Sequence, residues 1–343
     1  MSVAETGIRI GVMGAGAIGC FVGGSLAAHG ADVVFVGRER LRTEIRETGL
    51  VVSDMTGKTS TLREVAFELE ASALADCDVV LCAVKSAATA ETAQVLAGVL
   101  SPGTIVVSLQ NGVRNASVLR EHMKGQTVLG AVVGFNVVAP GHAVFRQTTT
   151  GLLAIEASTD ARVKSLVQAL HAASLDVELV PDIRAVQYAK LVMNVNNAVG
   201  ALTDVPTRRL VFEPQYRRIL AAIMGEAVDV MRAAGIRPAR LGAVPASLLP
   251  LMLRLPTPIL RLAARAQLKI DPEARSSMWD DLSKGRITEV DELNGEIVRL
   301  AKSCGACAPI NQRVVDVVHE AERANAGSPK LTADALWAAL TTG

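Results

Sequence analysis

Apolar runs alternate with amphipathic periods through the first half of the 343-residue chain, and helical periodicity alone remains in the second half. Residues 8–13 form a short apolar run. A helical period carried by Ile18, Phe21, Val22 and Leu26 follows, then a second run, Asp32–Val36. Residues 78–84 read as a buried strand ending at Lys85-Ser86, residues 87–98 as a helix, and Pro102-Gly103 as a turn into a strand that ends at Gln110-Asn111-Gly112. Continuous β-rich apolar runs separated by helices predict a parallel sheet covered on both faces. Residues 128–156 hold further runs punctuated by Pro140-Gly141 and Gly151, predicted as hairpin strands closing that sheet. Ser158 is read as starting a helix to about Ser174, with a short strand, Val177–Val180, after it.

Past Pro181-Asp182 the strand signal stops. Asp182 is expected to cap a helix running to about Leu202, and Pro214 opens another that Gly235 ends. A further helix is predicted from Thr288, with Asp291 at the reciprocal capping position, an apolar stripe of Val290, Leu293, Ile297 and Leu300, and Gly305 as its stop. The stretch 245–270 is leucine-rich and carries Pro245, Pro250, Pro256 and Pro258 among Arg254, Arg261 and Arg265. Four prolines and three arginines exclude a membrane span. A helical insertion packing on its own domain or on a second copy, a membrane-surface helix, and a lid all remain open readings.

The first turn carries chemistry. Gly14-Ala15-Gly16-Ala17-Ile18-Gly19 places G-x-G-x-x-G between an apolar run and a helix, within about thirty residues of strand, helix and strand, the context of a dinucleotide site. Gly14 permits the tight turn, Gly16 lets backbone approach a pyrophosphate, and Gly19 lets the helix pack on the strand. The pyrophosphate would sit on free N–H groups at the helix start near Ala17. The second strand ends in Arg38, Glu39 and Arg40 with Arg42 close behind, where an NAD site would place Asp or Glu. Guanidinium groups suit a 2′-phosphate, so the expected cofactor is NADP(H). Gly14, Arg38, Lys85 and Asn111 all fall at strand ends, the edge where such sheets bind ligands. The fold class predicted is α/β, an N-terminal Rossmann-type parallel-sheet domain over residues 1–181 followed by an all-helical domain over 182–343.

Charge and composition narrow the partners. Thirty-five basic against 34 acidic side chains exclude a basic nucleic-acid footprint, and 3% aromatics leave few stacking platforms. The five cysteines, the glycine turn reached by residue 14, and the lack of a 20-residue apolar run predict a cytoplasmic protein without a membrane span. Cys304-Gly-Ala-Cys307 has C-x-x-C spacing but closes a helix and has no second pair, and the five histidines are scattered, so no metal is expected.

In the helical half, Lys190, Asn194 and Asn197 stand at i, i+4 and i+7, one face of a single helix whose neighbours Leu191, Val192, Val195 and Val199 are apolar. One reading is a solvated polar stripe. The other is a half-buried stripe that meets a carboxylate-bearing substrate, with partial burial lowering the lysine pKa toward neutrality. Glu289, in the first turn of its helix, reads as a cap or as part of the same site.

Taken in order, the glycine turn, Arg38, Val84-Lys85, Gln110-Asn111-Gly112, Lys190-Leu-x-x-Asn194, Ser276-Ser277-Met with Asp281, Gly285-Arg-x-Thr-Glu289-x-Asp291 and Asn294-Gly295 make the sequence resemble the ketopantoate reductase (2-dehydropantoate 2-reductase) family from Ile8 to about Arg313. The resemblance implies NADPH-dependent reduction of a small 2-oxo acid, ketopantoate, to pantoate. It implies Lys190 as proton donor to the ketone and Glu289 as the group that organises the site and contacts the cofactor. The turn Gly14 to Gly19 with Arg38, Lys85 and Asn111 would hold the cofactor, Arg38 through the 2′-phosphate, and Lys190, Asn111, Asn194 and Ser277 the substrate. Where the family commonly has a second asparagine this chain has Ala198, and Asn197 is expected to take over. That departure and the insertion leave two other readings open, a paralogous reductase of another 2-oxo or hydroxy acid and a non-catalytic NADP-sensing module. The apolar insertion also suggests a homodimer.

Overall fold

A computed structural model describes residues 7–240, 244–264 and 274–342, in two compact units that divide between Arg184 and Ala185.

The first unit contains β1 (Arg9–Met13), α1 (Ala17–Ala28), β2 (Asp32–Val36), α2 (Glu39–Thr48), β3 (Leu50–Ser53), β4 (Thr59–Leu62), β5 (Ala66–Glu68), β6 (Val79–Cys82), α3 (Thr89–Val99), β7 (Ile105–Ser108), α4 (Asn115–His122), β8 (Thr127–Val133), β9 (Val137–Gly141), β10 (Val144–Gln147), β11 (Leu153–Glu156), α5 (Ala161–Ala172) and β12 (Val177–Val180). Eight strands form one sheet in the order β12-β11-β8-β7-β6-β1-β2-β5, parallel except where β11 pairs β8. The side-chain period of two explains the continuous apolar runs. Val33, Phe35, Val79, Leu81, Ile105 and Val107 enter one core, while Val34, Val36, Val80, Cys82 and Val106 enter a second with Leu96 and Leu119. Both faces are therefore covered, as expected.

Three local expectations need correction. Of the runs in 128–156, β8 and β11 enter the main sheet, whose edge beyond them is β12. The β9–β10 hairpin joins β3 and β4 in a separate four-stranded sheet, where β3 alternates buried with half-buried positions and β4 exposed with half-buried ones, as suits a sheet with one dry face. Helix α1 is buried from Gly19 to Leu26 rather than amphipathic. A Cβ on Gly23 would meet Phe35 at 2.6 Å and one on Gly24 would meet Val52 at 2.7 Å, so these two glycines let α1 lie between the two sheets. The cap of α5 is Asp160, which accepts from the Arg162 N–H, and not Ser158.

The second unit is helical: α6 (Ile183–Asn194), whose first two residues belong to the first unit, α7 (Asn197–Thr203), α8 (Thr207–Phe212), α9 (Pro214–Ala233), α10 (Leu249–Leu253), α11 (Thr257–Ala264), α12 (Ser277–Ser283), α13 (Val290–Ser303), α14 (Pro309–Ala324) and α15 (Ala333–Thr341). The single helix predicted to Leu202 is broken at Val195-Asn196, where Val199 donates to Asn196 O, three residues back, at 3.0 Å. Asparagines at 194, 196 and 197 compete with the backbone and weaken the helix there. Helix α13 starts one residue later than expected. Thr288 Oγ1 accepts from the Val290 N–H, Glu289 stands at the cap position, and Asp291 turns to His319 instead of closing a capping box. The insertion is helical through α10 and α11, and its residues 265–270 lie outside the described residues. No described helix is long and apolar enough to cross a membrane.

Candidate active site

In the first unit, β7, β6, β1 and β2 are adjacent and parallel, so their carboxyl ends share one edge. Gly14, Arg38, Lys85 and Asn111 follow those four ends. Gly14 has φ +98°, and a Cβ there would lie 2.7 Å from Val84 N, so only glycine lets the turn press against the β6 loop. A Cβ on Gly19 would collide with the Gly14 carbonyl oxygen. Gly16 differs: it is exposed and nothing lies within 4 Å of where its Cβ would be. Behind it α1 begins with no side-chain cap and no acidic residue in its first turn. The first N–H groups of a helix have no intrahelical acceptor, so this end is left for an anion. The turn thus fits a dinucleotide pyrophosphate: tight where glycine must touch protein and open where a phosphate must approach.

Arg38 is exposed at the cap position of α2, with no ion pair among the described residues, whereas Glu39 holds Arg42 at 2.6 Å and Arg40 reaches Glu44 at 3.2 Å. Glu39 is the first residue of α2, past the strand end. Lys85 is exposed and Asn111 half-buried. The loops that carry them are tied by a buried network the sequence did not reveal. Gln110 donates to Val84 O (3.0 Å) and Thr89 Oγ1 (2.7 Å) and accepts from Ser108 (3.0 Å). Asn115 accepts from Thr89 (2.8 Å) and donates to Ser86 (3.1 Å) and Asn111 O (2.6 Å). Gln110 and Asn115 look like ordinary turn and helix-start residues; only the strand order shows that they bridge two adjacent loops.

In the second unit, Lys190 and Asn194 are half-buried on α6, one turn apart. Burial draws the Lys190 pKa down to about 8, and the Glu289 carboxylate opposes that pull. Lysine and glutamate, 99 positions apart in sequence, are therefore electrostatic neighbours. Asn197 does not continue the α6 face as the i+7 spacing predicted, because it opens α7 after the break. Its carbonyl accepts from Ser276 Oγ at 2.9 Å, and the neighbouring Ala198 is fully buried. Of the serine pair, Ser276 also accepts from the Trp279 N–H as the α12 cap, while Ser277 is exposed. Arg275 and Trp279 both donate to Asp204 at the end of α7, at 2.5 and 2.8 Å, which anchors the serine cluster to α7. Cys304 and Cys307 lie in the turn between α13 and α14, with the Cys304 thiol on Ala301 O.

A glycine turn of this shape on a parallel sheet, joined to a helical unit holding a lysine of lowered pKa, defines a two-domain nicotinamide-dependent oxidoreductase. The comparisons resolve the class further. Residues 10–159 match the family described as "Ketopantoate reductase PanE/ApbA" and residues 182–322 its C-terminal counterpart. The chain is 32% identical to a 2-dehydropantoate 2-reductase of Halobacterium salinarum over 92% of its own length and 99% of that relative's. It is 29% identical to one of Archaeoglobus fulgidus, with 92% and 98% covered. A crystal structure of a PanE/ApbA family ketopantoate reductase from Ralstonia eutropha superposes with a TM-score of 0.80 at 31% identity, over 93% of this chain and 99% of that one. The chain belongs to the ketopantoate reductase family.

Proposed function

We propose that the protein is an NADPH-dependent ketopantoate reductase, converting 2-dehydropantoate to pantoate for pantothenate synthesis. The observation that carries the mechanism is Lys190, half-buried beside Glu289 with its pKa near 8. The turn from Gly14 to Gly19, through Ala15, Ala17 and Ile18, would hold the pyrophosphate, Arg38 the 2′-phosphate, and Lys85 and Asn111 the rest of the cofactor. When bound, NADPH supplies a hydride to the carbonyl carbon. The Lys190 ammonium donates a hydrogen bond to the carbonyl oxygen, where negative charge develops, and then transfers its proton to it. The product is the 2-hydroxy acid, leaving a neutral lysine that regains a proton from solvent. Glu289 keeps the lysine protonated enough to act, and would also contact the cofactor. Asn111, Asn194, Asn197 and Ser277 are the substrate-holding amides and hydroxyl in this reading.

Replacing the acid tests it. Lys190→Ala should lower kcat for ketopantoate reduction by roughly 10²–10⁴-fold, the usual contribution of a positioned general acid. NADPH affinity, measured by fluorescence titration, should hold. Turnover equal to the native enzyme would remove Lys190 from the mechanism.

A cytoplasmic location is supported by five free thiols. A homodimer is supported by the exposed Leu251 and Ile259 of the insertion, 58% and 52% accessible. Sedimentation at micromolar concentration distinguishes it from a monomer.

A further inference from the structure

Where α6 breaks, one carbonyl loses its helical partner. Val199 donates to Asn196 O instead of Val195 O, and Val195 is fully buried. A buried carbonyl needs a donor from elsewhere. Asn294 of α13 supplies it: its Nδ2 reaches Val195 O at 3.1 Å and, with its other hydrogen, Asn311 Oδ1 at 2.9 Å. Asn311 Nδ2 in turn donates to Ile223 O at 3.2 Å and to Glu226 Oε1 at 2.8 Å. Glu226 also accepts the backbone N–H groups of Asn311 (2.7 Å) and Ile310 (2.9 Å) in the first turn of α14, where the helix dipole favours a carboxylate.

The direction of this chain is fixed. An ionised Glu226 only accepts, so the Asn311 amide must turn its nitrogen to Glu226 and its oxygen to Asn294. Asn294 must then donate to both its neighbours. Asn294 and Asn311 are both completely buried, and Asn294 Oδ1 has no partner among the described residues. A position kept for packing alone would carry an apolar side chain, as Leu293 and Ile297 do on the same helix. An amide with one orphaned oxygen is tolerated because its nitrogen is needed.

From these contacts we infer that Asn294 is a positioning residue: by holding the Val195 carbonyl it sets the elbow between Lys190 and Asn194 on one side and Asn197 on the other. Glu226 and Asn311 hold Asn294 in the orientation that does this. Helix α13 thereby meets the α6 end twice, through the charge of Glu289 at its cap and through Asn294 five residues on. This assignment rests on the reading of α6 as the substrate-binding helix of a ketopantoate reductase.

The experiment compares native protein with Asn294→Ala, Asn294→Asp and Asn294→Ser. Alanine removes the donor, aspartate keeps the shape but cannot donate when ionised, and serine returns one donor. Alanine and aspartate should raise KM for ketopantoate roughly ten-fold and lower kcat, with NADPH affinity within about two-fold of native and serine partly restoring KM. A purely structural role would lower only the folded fraction, leaving KM unchanged. Native KM in variants shown to be folded by thermal unfolding would overturn the assignment. Should native protein fail to reduce ketopantoate, the substrate reading fails separately. The positioning role is then decided by NMR titration of Lys190 in ¹³C-lysine-labelled protein. In Asn294→Ala its pKa should move up toward the ordinary lysine value; an unmoved titration would refute the role.

Discussion

Lys190 is held between two opposing influences, burial that favours the neutral amine and Glu289 that favours the ammonium. Burial is the larger, so the pKa settles near 8 and a proton is available at neutral pH without being firmly held. The sign of the pH dependence follows. Ketone reduction needs the protonated lysine, so kcat/KM for ketopantoate should be level below about pH 8 and fall above it. The reverse oxidation of pantoate needs the neutral amine and should rise through the same pH. Glu289→Gln removes the opposing charge, and the limb should then move to lower pH, with a loss of reduction rate at pH 7.5. A limb left in place would mean that Glu289 does not govern the lysine. The lysine–amide spacing and the neighbouring apolar residues were readable in the sequence. The pairing with Glu289 was not readable from spacing, because 99 residues separate the two and only the fold makes them neighbours; the family resemblance alone drew attention to it.

At the scale of elements, β1, α1 and β2 were legible because their signals are local: an apolar run, three glycines at fixed spacing, a helix and a second apolar run. The physical reason for each glycine appears in the structure as a collision avoided or a space left open. Elements decided by long-range partners were misread. The β9–β10 hairpin carries hairpin signals whichever sheet it joins, and the α6 break, which local asparagines favour, leaves a carbonyl that is satisfied by an amide from α13 that no local window contains. The strand-end reading gives a direct test. Arg38 stands exposed at the N-cap position of α2 with no ion pair among the described residues, whereas Arg42 is committed to Glu39. Arg38→Ala should weaken NADPH binding by about ten-fold while leaving NADH nearly unaffected, since a charge-assisted bond to phosphate is lost only with the former. An unchanged NADPH/NADH preference in steady-state assays would place the 2′-phosphate elsewhere.

For the whole molecule, the order of motifs along the chain was more informative than any motif singly. A glycine turn alone defines a cofactor class, and a lysine stripe alone has a bland reading as a solvated face. Their sequence through both units, matched by the family over residues 10–159 and 182–322, converts them into one enzyme. The substrate side was the least legible part. Ala198 proves to be buried, Asn197 opens a new helix, and Ser276 is tied to the backbone while Ser277 is exposed, so identity at these positions does not by itself dictate which acid is held. The most direct measurement is therefore kcat/KM for a panel of 2-oxo acids with NADPH and with NADH. Ketopantoate with NADPH should give the highest value. A different acid preferred by more than about ten-fold, some 1.4 kcal/mol of transition-state discrimination, or cofactor binding with no acid reduced, would contradict it.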